Sequence, residues 1–486
     1  MAILLWMDAG RILRQLSDMN PWWRGDQWSS SDLDLRAWRE SGLKYEPPVL
    51  DGLAQGGLYL LRGPRRVGKS TSIKLALRRL VDVEQVQPLR CIYFACDGLS
   101  AADVKTLGQV GRSTATAAAN GPRYWFLDEI TGVPGWAEAV KWLRDTTAMR
   151  DDCVVLSGSS GVAMLVATKA LAGRRGPAER SDRLLMPMDF ASFARRATGV
   201  TPPSIEIDLA DLLSDPGRRA IETLIPWLGP LADAFDAYLL VGGFPTALRD
   251  FRATGAPTQA LVDSLFDVLH GEAVRRGAGI TFTLRLLSLI SESIGSLVNW
   301  STWARKLDVP SHHAVRAEIE ALSAAHYTWI CYQETDGSPA LLGNRKVYFT
   351  DPLLARLAHL RQPSVAEPHQ SALAEQVVGF HLLMRLVEER ARAYLDFATL
   401  FLERTSSREI DFVVLREPRL AVESKYVDAP GGRDAAPIEA RFGQGILATR
   451  SALDLDRPVR RVPAAMLAWV LSRPESSERI SSLQTR

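Results

Sequence analysis

Over its first two hundred residues the chain alternates short, wholly apolar runs with stretches whose apolar residues recur every three or four positions. The runs are Leu58 to Leu61, Cys91 to Ala95, Tyr124 to Leu127, Cys153 to Leu156 and Leu184 to Met186. Between them, Ile73, Leu77, Leu80 and Val81 share one helical face, as do Trp136, Val140 and Leu143. Apolar strands separated by amphipathic helices predict a parallel α/β sheet.

From about residue 200 the strand pattern stops. Helical periodicity runs to about 275, interrupted by Gly242-Gly243-Phe244-Pro245. From about 283 to 350 the order is three helices and then two strand-like runs, Tyr327 to Tyr332 and Lys346 to Thr350, which is the winged-helix order. After a polar stretch, Ala374 to Val387 reads as a helix. Strands are expected at Thr399 to Glu403, Ile410 to Leu415 and Leu420 to Ser424, then a helix around Ala440 to Leu453 and a last strand at Ala465 to Leu471. The boundaries that follow are a lead-in over 1–35, an α/β core over 36–199, a helical segment over 200–278, a winged helix over 279–360 and a second α/β domain over 361–486. The fold class is α/β multidomain. Several domains are also what 486 residues require, because single cores stop growing well below that length.

Chemistry enters at the first strand. Leu58 to Leu61 runs into Gly63-Pro64-Arg65-Arg66-Val67-Gly68-Lys69-Ser70-Thr71 and then into a helix. Strand, glycine loop and helix in that order make a phosphate cradle. The glycines let backbone N–H groups turn inward and the helix offers its positive end. Lys69 is placed to reach the β- and γ-phosphates and Ser70 to ligate Mg²⁺. The pattern predicts that ATP is bound, with Mg²⁺. The third strand ends Leu127-Asp128-Glu129, putting two carboxylates at the carboxyl edge of the same sheet, where ligands of open α/β folds bind. Asp128 would hold Mg²⁺ and Glu129 would polarise the attacking water. Ser157, at the end of the fourth strand, is a candidate phosphate contact. Arg174, after Leu171-Ala172-Gly173, is a candidate for stabilising transition-state charge, in its own subunit or in a neighbour of a homo-oligomer.

A second group lies near the C-terminus. Asp411 stands in one expected strand and Glu423-Ser424-Lys425 ends the next, with a turn at Arg416 to Arg419 between them. Adjacent antiparallel strands would bring the two carboxylates and the amine together. Asp411 and Glu423 would then ligate Mg²⁺, with Lys425 on the attacking water, for phosphodiester cleavage. Ser311, His312, His313 and Arg316 start the third winged-helix helix, and Asn344, Arg345 and Lys346 lie in its turn. These could meet phosphates, although Glu318 and Glu320 on the same helix would repel them.

Charge and cysteine usage add less. A net charge of +2 means that any basic surface is local. Cys91, Cys96, Cys153 and Cys331 read as core thiols of a reducing compartment. Without a basic leader or a run of ~18 apolar residues, the chain is expected to be cytoplasmic, with no membrane partner.

From about Asn20 to Tyr426 the chain resembles the bacterial and archaeal AAA/STAND-type ATPases that carry a C-terminal restriction-endonuclease-like domain. The resemblance rests on Gly63 to Ser70, Asp128-Glu129-Ile130 with Pro134 and Trp136, Ser157 to Ser160, Gly173-Arg174 and Gly242-Gly243-Phe244-Pro245. It implies a P-loop AAA-type core, with Gly243 and Pro245 in a helical lid that closes on the nucleotide. It also implies a PD-(D/E)xK nuclease-like domain in which Glu375 is the helix glutamate, with DNA as partner. The stretch Arg175 to Arg183 is longer and richer in arginine than in those relatives, which leaves the identity of the finger open. Two functions remain in play: an ATP-regulated nuclease, or a nucleotide-driven switch whose last domain binds without cutting.

Overall fold

The computed structural model describes residues 9–25, 27–113, 121–158, 170–274, 276–389, 400–404, 408–416 and 418–472. They form two compact units that divide between Met186 and Pro187.

The first unit is built on five parallel strands: β1 (Leu58–Arg62), β2 (Cys91–Ala95), β3 (Tyr124–Asp128), β4 (Cys153–Ser157) and β5 (Asp182–Leu184). Their order is β2-β3-β4-β1-β5. Every residue of β1 and β4 is buried, which explains why the central strands show no polar alternation. The helices Lys69–Arg78, Ala101–Ser113 and Trp136–Thr146 connect strands of this sheet. The fifth strand falls two residues earlier than the apolar run Leu184 to Met186 suggested.

The N-terminal residues belong to this unit. Ile12 and Leu16 of the helix Ala9–Met19 enter the same core as Ile92, Trp125 and Val140. Asn20 then acts as a one-residue neighbour for edge strand β2. Its Nδ2 donates to Tyr93 O (2.9 Å), and its Oδ1 accepts from Tyr93 N (2.7 Å). Trp22 and Trp23 both donate their indole N–H to Cys91 O, at 2.9 and 3.0 Å. The paired tryptophans therefore pack, and they close an edge that would otherwise expose unpaired backbone.

The second unit begins with helices and ends on one large sheet. Three helices, Ile280–Glu292, Trp300–Leu307 and His312–Ala324, precede β6 (Thr328–Thr335), β7 (Ser338–Pro339) and β8 (Arg345–Phe349). β6 and β8 pair antiparallel, Thr328 opposite Phe349. After the helices Pro352–Arg361 and Gln370–Glu389 come β9 (Phe401–Arg404), β10 (Glu409–Val414) and β11 (Leu420–Lys425). The helix Gly432–Phe442 leads to β12 (Gly445–Thr449) and β13 (Val459–Pro463). The sheet order is β13-β12-β11-β10-β9-β6-β7, with β8 on β6. The β6–β8 hairpin is thus no free-standing wing, because β6 pairs in parallel with β9, Tyr332 opposite Phe401.

Two C-terminal elements differ from the sequence reading. Ala465 to Leu471, expected as a strand, is the buried helix Ala464–Leu471. A short run apolar on every side fits either structure, and the alanines favour the helix. The helix expected around 440–453 ends at Phe442, where Gly443 turns left-handed (φ 74°), and β12 follows. Against the expectation of no such run, one helical run among the described residues, Asp215–Val241, has the length and hydropathy of a membrane span. A turn at Thr223 and Leu224 and the 3-10 stretch Ile225–Trp227, which holds Pro226, interrupt it, and Leu231, Phe235, Tyr238 and Leu239 are buried core residues. All four cysteines are buried free thiols.

Candidate nucleotide site and C-terminal acidic site

The glycine loop joins β1 to the helix Lys69–Arg78 at the carboxyl edge of the parallel sheet. Gly63 has φ +146°, and a Cβ there would lie 1.9 Å from Leu185 O, so only glycine fits between β1 and the chain leaving β5. Gly68 is left-handed (φ +93°) at the start of the helix. The Lys69 ammonium donates to Gly63 O (3.0 Å) and Pro64 O (2.9 Å) and is held over the loop. Burial pulls its pKa down to about 8, against the pull of Glu129 and Asp128. Asp128, 3% exposed at the end of β3, accepts from Tyr93 Oη (3.1 Å) and from Ser157 Oγ at the end of β4. Glu129 is left-handed (φ 50°), a conformation that is costly for a glutamate. It is held there by its N–H, which reaches Asp128 Oδ1 (3.1 Å) and Ser157 Oγ (3.2 Å). A strained acid beside a buried acid, both at the edge that carries the loop, is a preorganised arrangement. The Ser70 hydroxyl and the Asp128 carboxylate fit Mg²⁺, which prefers oxygen and takes its remaining ligands from phosphate and water.

Residues 55–194 match the family model of the AAA domain. That segment is an AAA-type P-loop ATPase domain. No curated protein matches the chain. Among solved structures, the Walker-type ATPase of Pyrococcus abyssi matches at 15% identity and a TM-score of 0.37, over 69% of this chain and 95% of that one. The ORC2 protein of Aeropyrum pernix, in ADPNP–ADP complexes, matches at 12% identity and a TM-score of 0.32, over 68% of this chain and 94% of that one. The ORC1 protein of the same organism in complex with DNA matches at 16% identity and a TM-score of 0.27, over 68% and 92%.

Within the AAA domain, Arg174 does not sit with the loop of its own chain. Its guanidinium forms a two-pronged pair with Asp145, both bonds 2.8 Å, at the end of the helix Trp136–Thr146. Its neighbour's carbonyl, Arg175 O, accepts from Leu58 N at the amino end of β1. The loop begins five residues further on, roughly 16 Å away along the strand. Arg174 is therefore at the opposite edge of the sheet from Lys69 and Glu129, and a finger acting within its own subunit is ruled out. Arg175 is tied to Ser181 (2.7 Å) and Asp182 (2.8 Å). Ser159 and Ser160 lie outside the described residues. Gly243 and Pro245 belong to the second unit. There Gly243 N donates to the buried Asp351 (2.7 Å), Gly243 O accepts from Met188 N (2.7 Å), and Pro245 starts a helix. A Cβ on Gly243 would lie 2.1 Å from Met188 O. This packing accounts for the glycine pair without a nucleotide.

The C-terminal residues do come together. Asp411 on β10 and Glu423 on β11 are each 5% exposed on adjacent antiparallel strands. Asp411 N donates to Glu423 Oε2 (3.1 Å), Ser424 N to Asp411 Oδ2 (2.9 Å), and Lys425 Nζ lies 2.7 Å from Glu423 Oε1. Glu375, from the helix Gln370–Glu389, joins them. What the sequence reading missed is Lys346, placed there as a turn residue available to phosphates. It lies on β8 and is fully buried, with Nζ 2.7 Å from Asp411 Oδ1, 2.7 Å from Glu409 Oε1 and 3.1 Å from Glu375 Oε1. Tyr348, two residues along β8, donates to Glu375 Oε1 (2.6 Å). Burial, and then Asp411, push the Glu375 carboxyl up to about 7 and that of Glu423 up to about 8; Lys346 opposes the first shift and Lys425 the second. Among the described residues, no group of three or more acids, histidines or cysteines is arranged to hold a metal ion.

Proposed function

We propose that the chain is an ATP-hydrolysing molecular switch acting on nucleic acid, whose C-terminal part is a nuclease-like module that binds without cutting. The observation that carries the first half is the convergence of Lys69, Asp128, Glu129 and Ser157 on the glycine loop. Lys69 binds the phosphates. Asp128 and Ser70 would hold Mg²⁺, which when bound supplies Lewis-acid charge to the phosphate oxygens. Glu129, fixed by its own backbone hydrogen bonds, orients the attacking water and takes its proton. Arg174, at the far edge of the sheet, can serve only the nucleotide of a neighbouring copy.

The order of helix, three antiparallel strands, helix and parallel strand over 370–449 supports the nuclease-like reading of the last part. Lys346 supports the absence of cleavage. Its ammonium engages oxygens of Glu375 and Asp411, two of the acids a metal-assisted cleavage site would use, and of the nearby Glu409. ATP turnover and binding should be compared in native protein and Glu129→Gln. Turnover should fall by ~10²-fold or more with binding retained. Native turnover in the variant would remove Glu129 from its role. Linear, plasmid and single-stranded DNA should all stay intact with ATP and Mg²⁺; cleavage lost in Asp411→Ala would restore the nuclease reading.

A further inference from the structure

A cavity of about 440 Å³ opens between the start of the helix Trp300–Leu307, the start of His312–Ala324 and the loop before β8. Trp300, His312, His313, Arg316, Asn344 and Arg345 line it, and no aspartate or glutamate does. Arg345 is only 7% exposed, and among the described residues no carboxylate pairs with it. Its donors go to the Gly343 carbonyl, and its guanidinium lies 5.0 Å from the centre of the Trp300 ring. A buried guanidinium without a counter-charge is costly unless an anion completes it. Trp300 supplies a second, independent sign. It is 7% exposed, and its buried indole N–H has no acceptor.

The acids that argued against phosphate contact are directed elsewhere. Glu318 is buried, and both its oxygens take donors from Arg276 (2.7 to 3.1 Å). Glu320 is held by Arg316 at 2.7 Å and offsets part of that one charge. The Ser311 hydroxyl caps His313 N (3.0 Å), so the helix presents an ordered, electropositive first turn. Leu341 and Leu342 stand at the rim, Leu342 92% exposed.

We propose that this cavity seats the phosphate backbone of double-stranded DNA, with Arg345 and Arg316 as its phosphate-binding residues. Two short helices joined by a four-residue turn, followed by a hairpin loop, form the arrangement that lays a second helix against a duplex. Exposed leucines beside the cationic wall suit the apolar sugar faces of a groove. The assignment of these residues rests on the nucleic-acid reading above and adds the place where it is carried out.

The test is fluorescence anisotropy of a labelled 20-base-pair duplex against the full chain over a salt series. Arg316→Gln and Arg345→Gln should each weaken binding about 5- to 10-fold and lower the salt slope by about 1. ATP turnover without DNA should stay unchanged, and thermal unfolding checks that each variant folds. Arg316→Gln, at a partly exposed site, keeps the test valid if Arg345→Gln does not fold. Native affinity and slope in Arg316→Gln, with DNA bound by the native protein, would overturn the cavity assignment alone. No duplex binding by the native protein would overturn both this assignment and the nucleic-acid reading. Labelled polyglutamate that binds more tightly than the duplex and is lost in the same variants would give the cavity to an acidic protein segment instead.

Discussion

Replacing Lys346 by methionine keeps a flexible chain of similar length and removes the charge from the centre of the acidic cluster. Three carboxylates then lose their common partner. Lys346 is fully buried with contacts of 2.7, 2.7 and 3.1 Å, so water does not compensate. Breaking a buried ion pair by removing one member costs about 3–5 kcal/mol, and that is the expected loss. For a unit of this size it corresponds to a fall in melting temperature of roughly 10 °C. The loss should also depend on pH. Burial and Asp411 already raise Glu375 to about 7, and Lys346 holds it down, so removing Lys346 raises it further. The folded variant then keeps a proton that the unfolded chain releases above about pH 4. Its stability is present at low pH and is lost as pH rises through the raised pKa, so the deficit relative to the native protein should be smaller at pH 5.5 than at 8.5. Urea unfolding followed by tryptophan fluorescence at both pH values measures this. The double variant Lys346→Met with Asp411→Asn should recover part of the deficit, because one of the stranded charges is gone. A loss below about 1 kcal/mol, or an equal loss at both pH values, would refute the reasoning and leave Lys346 a dispensable neighbour of the acids.

Gly63→Ala should cost about 2 kcal/mol or more and weaken ATP binding at least ~10-fold, because the added Cβ meets Leu185 O at 1.9 Å in a conformation alanine avoids. Calorimetry and nucleotide titration check it, and native values for both would contradict that geometry. Arg174→Ala should leave ATP turnover unchanged in protein dilute enough to be monomeric, since its partner Asp145 is at the amino edge of the sheet. A tenfold loss of turnover under those conditions would contradict the placement.

Local chemistry was legible in the sequence. Gly63 to Ser70 must bend between a strand and a helix, and Asp128-Glu129 must end a strand of the same sheet, because each signal lies within a few adjacent residues. Asp411 and Glu423 were legible for the same reason: a tight turn between two strands fixes their proximity. What depends on pairing between distant segments was not legible. Lys346 reads as a turn residue until β6 pairs with β9, which brings β8 and its lysine beside Asp411, many residues later in the chain. Arg174 follows a strand that ends at the nucleotide edge, but the chain returns to the amino end of β1 before reaching it, and periodicity carries no sign of that return. Asn20 looks like a polar residue in a lead-in; only the finished sheet shows the open edge of β2 that it closes. The sequence by itself determined which residues carry chemistry wherever neighbours in the chain are neighbours in space. The tertiary structure alone decided which charge meets which, because a buried ion seeks its partner through space and not along the chain.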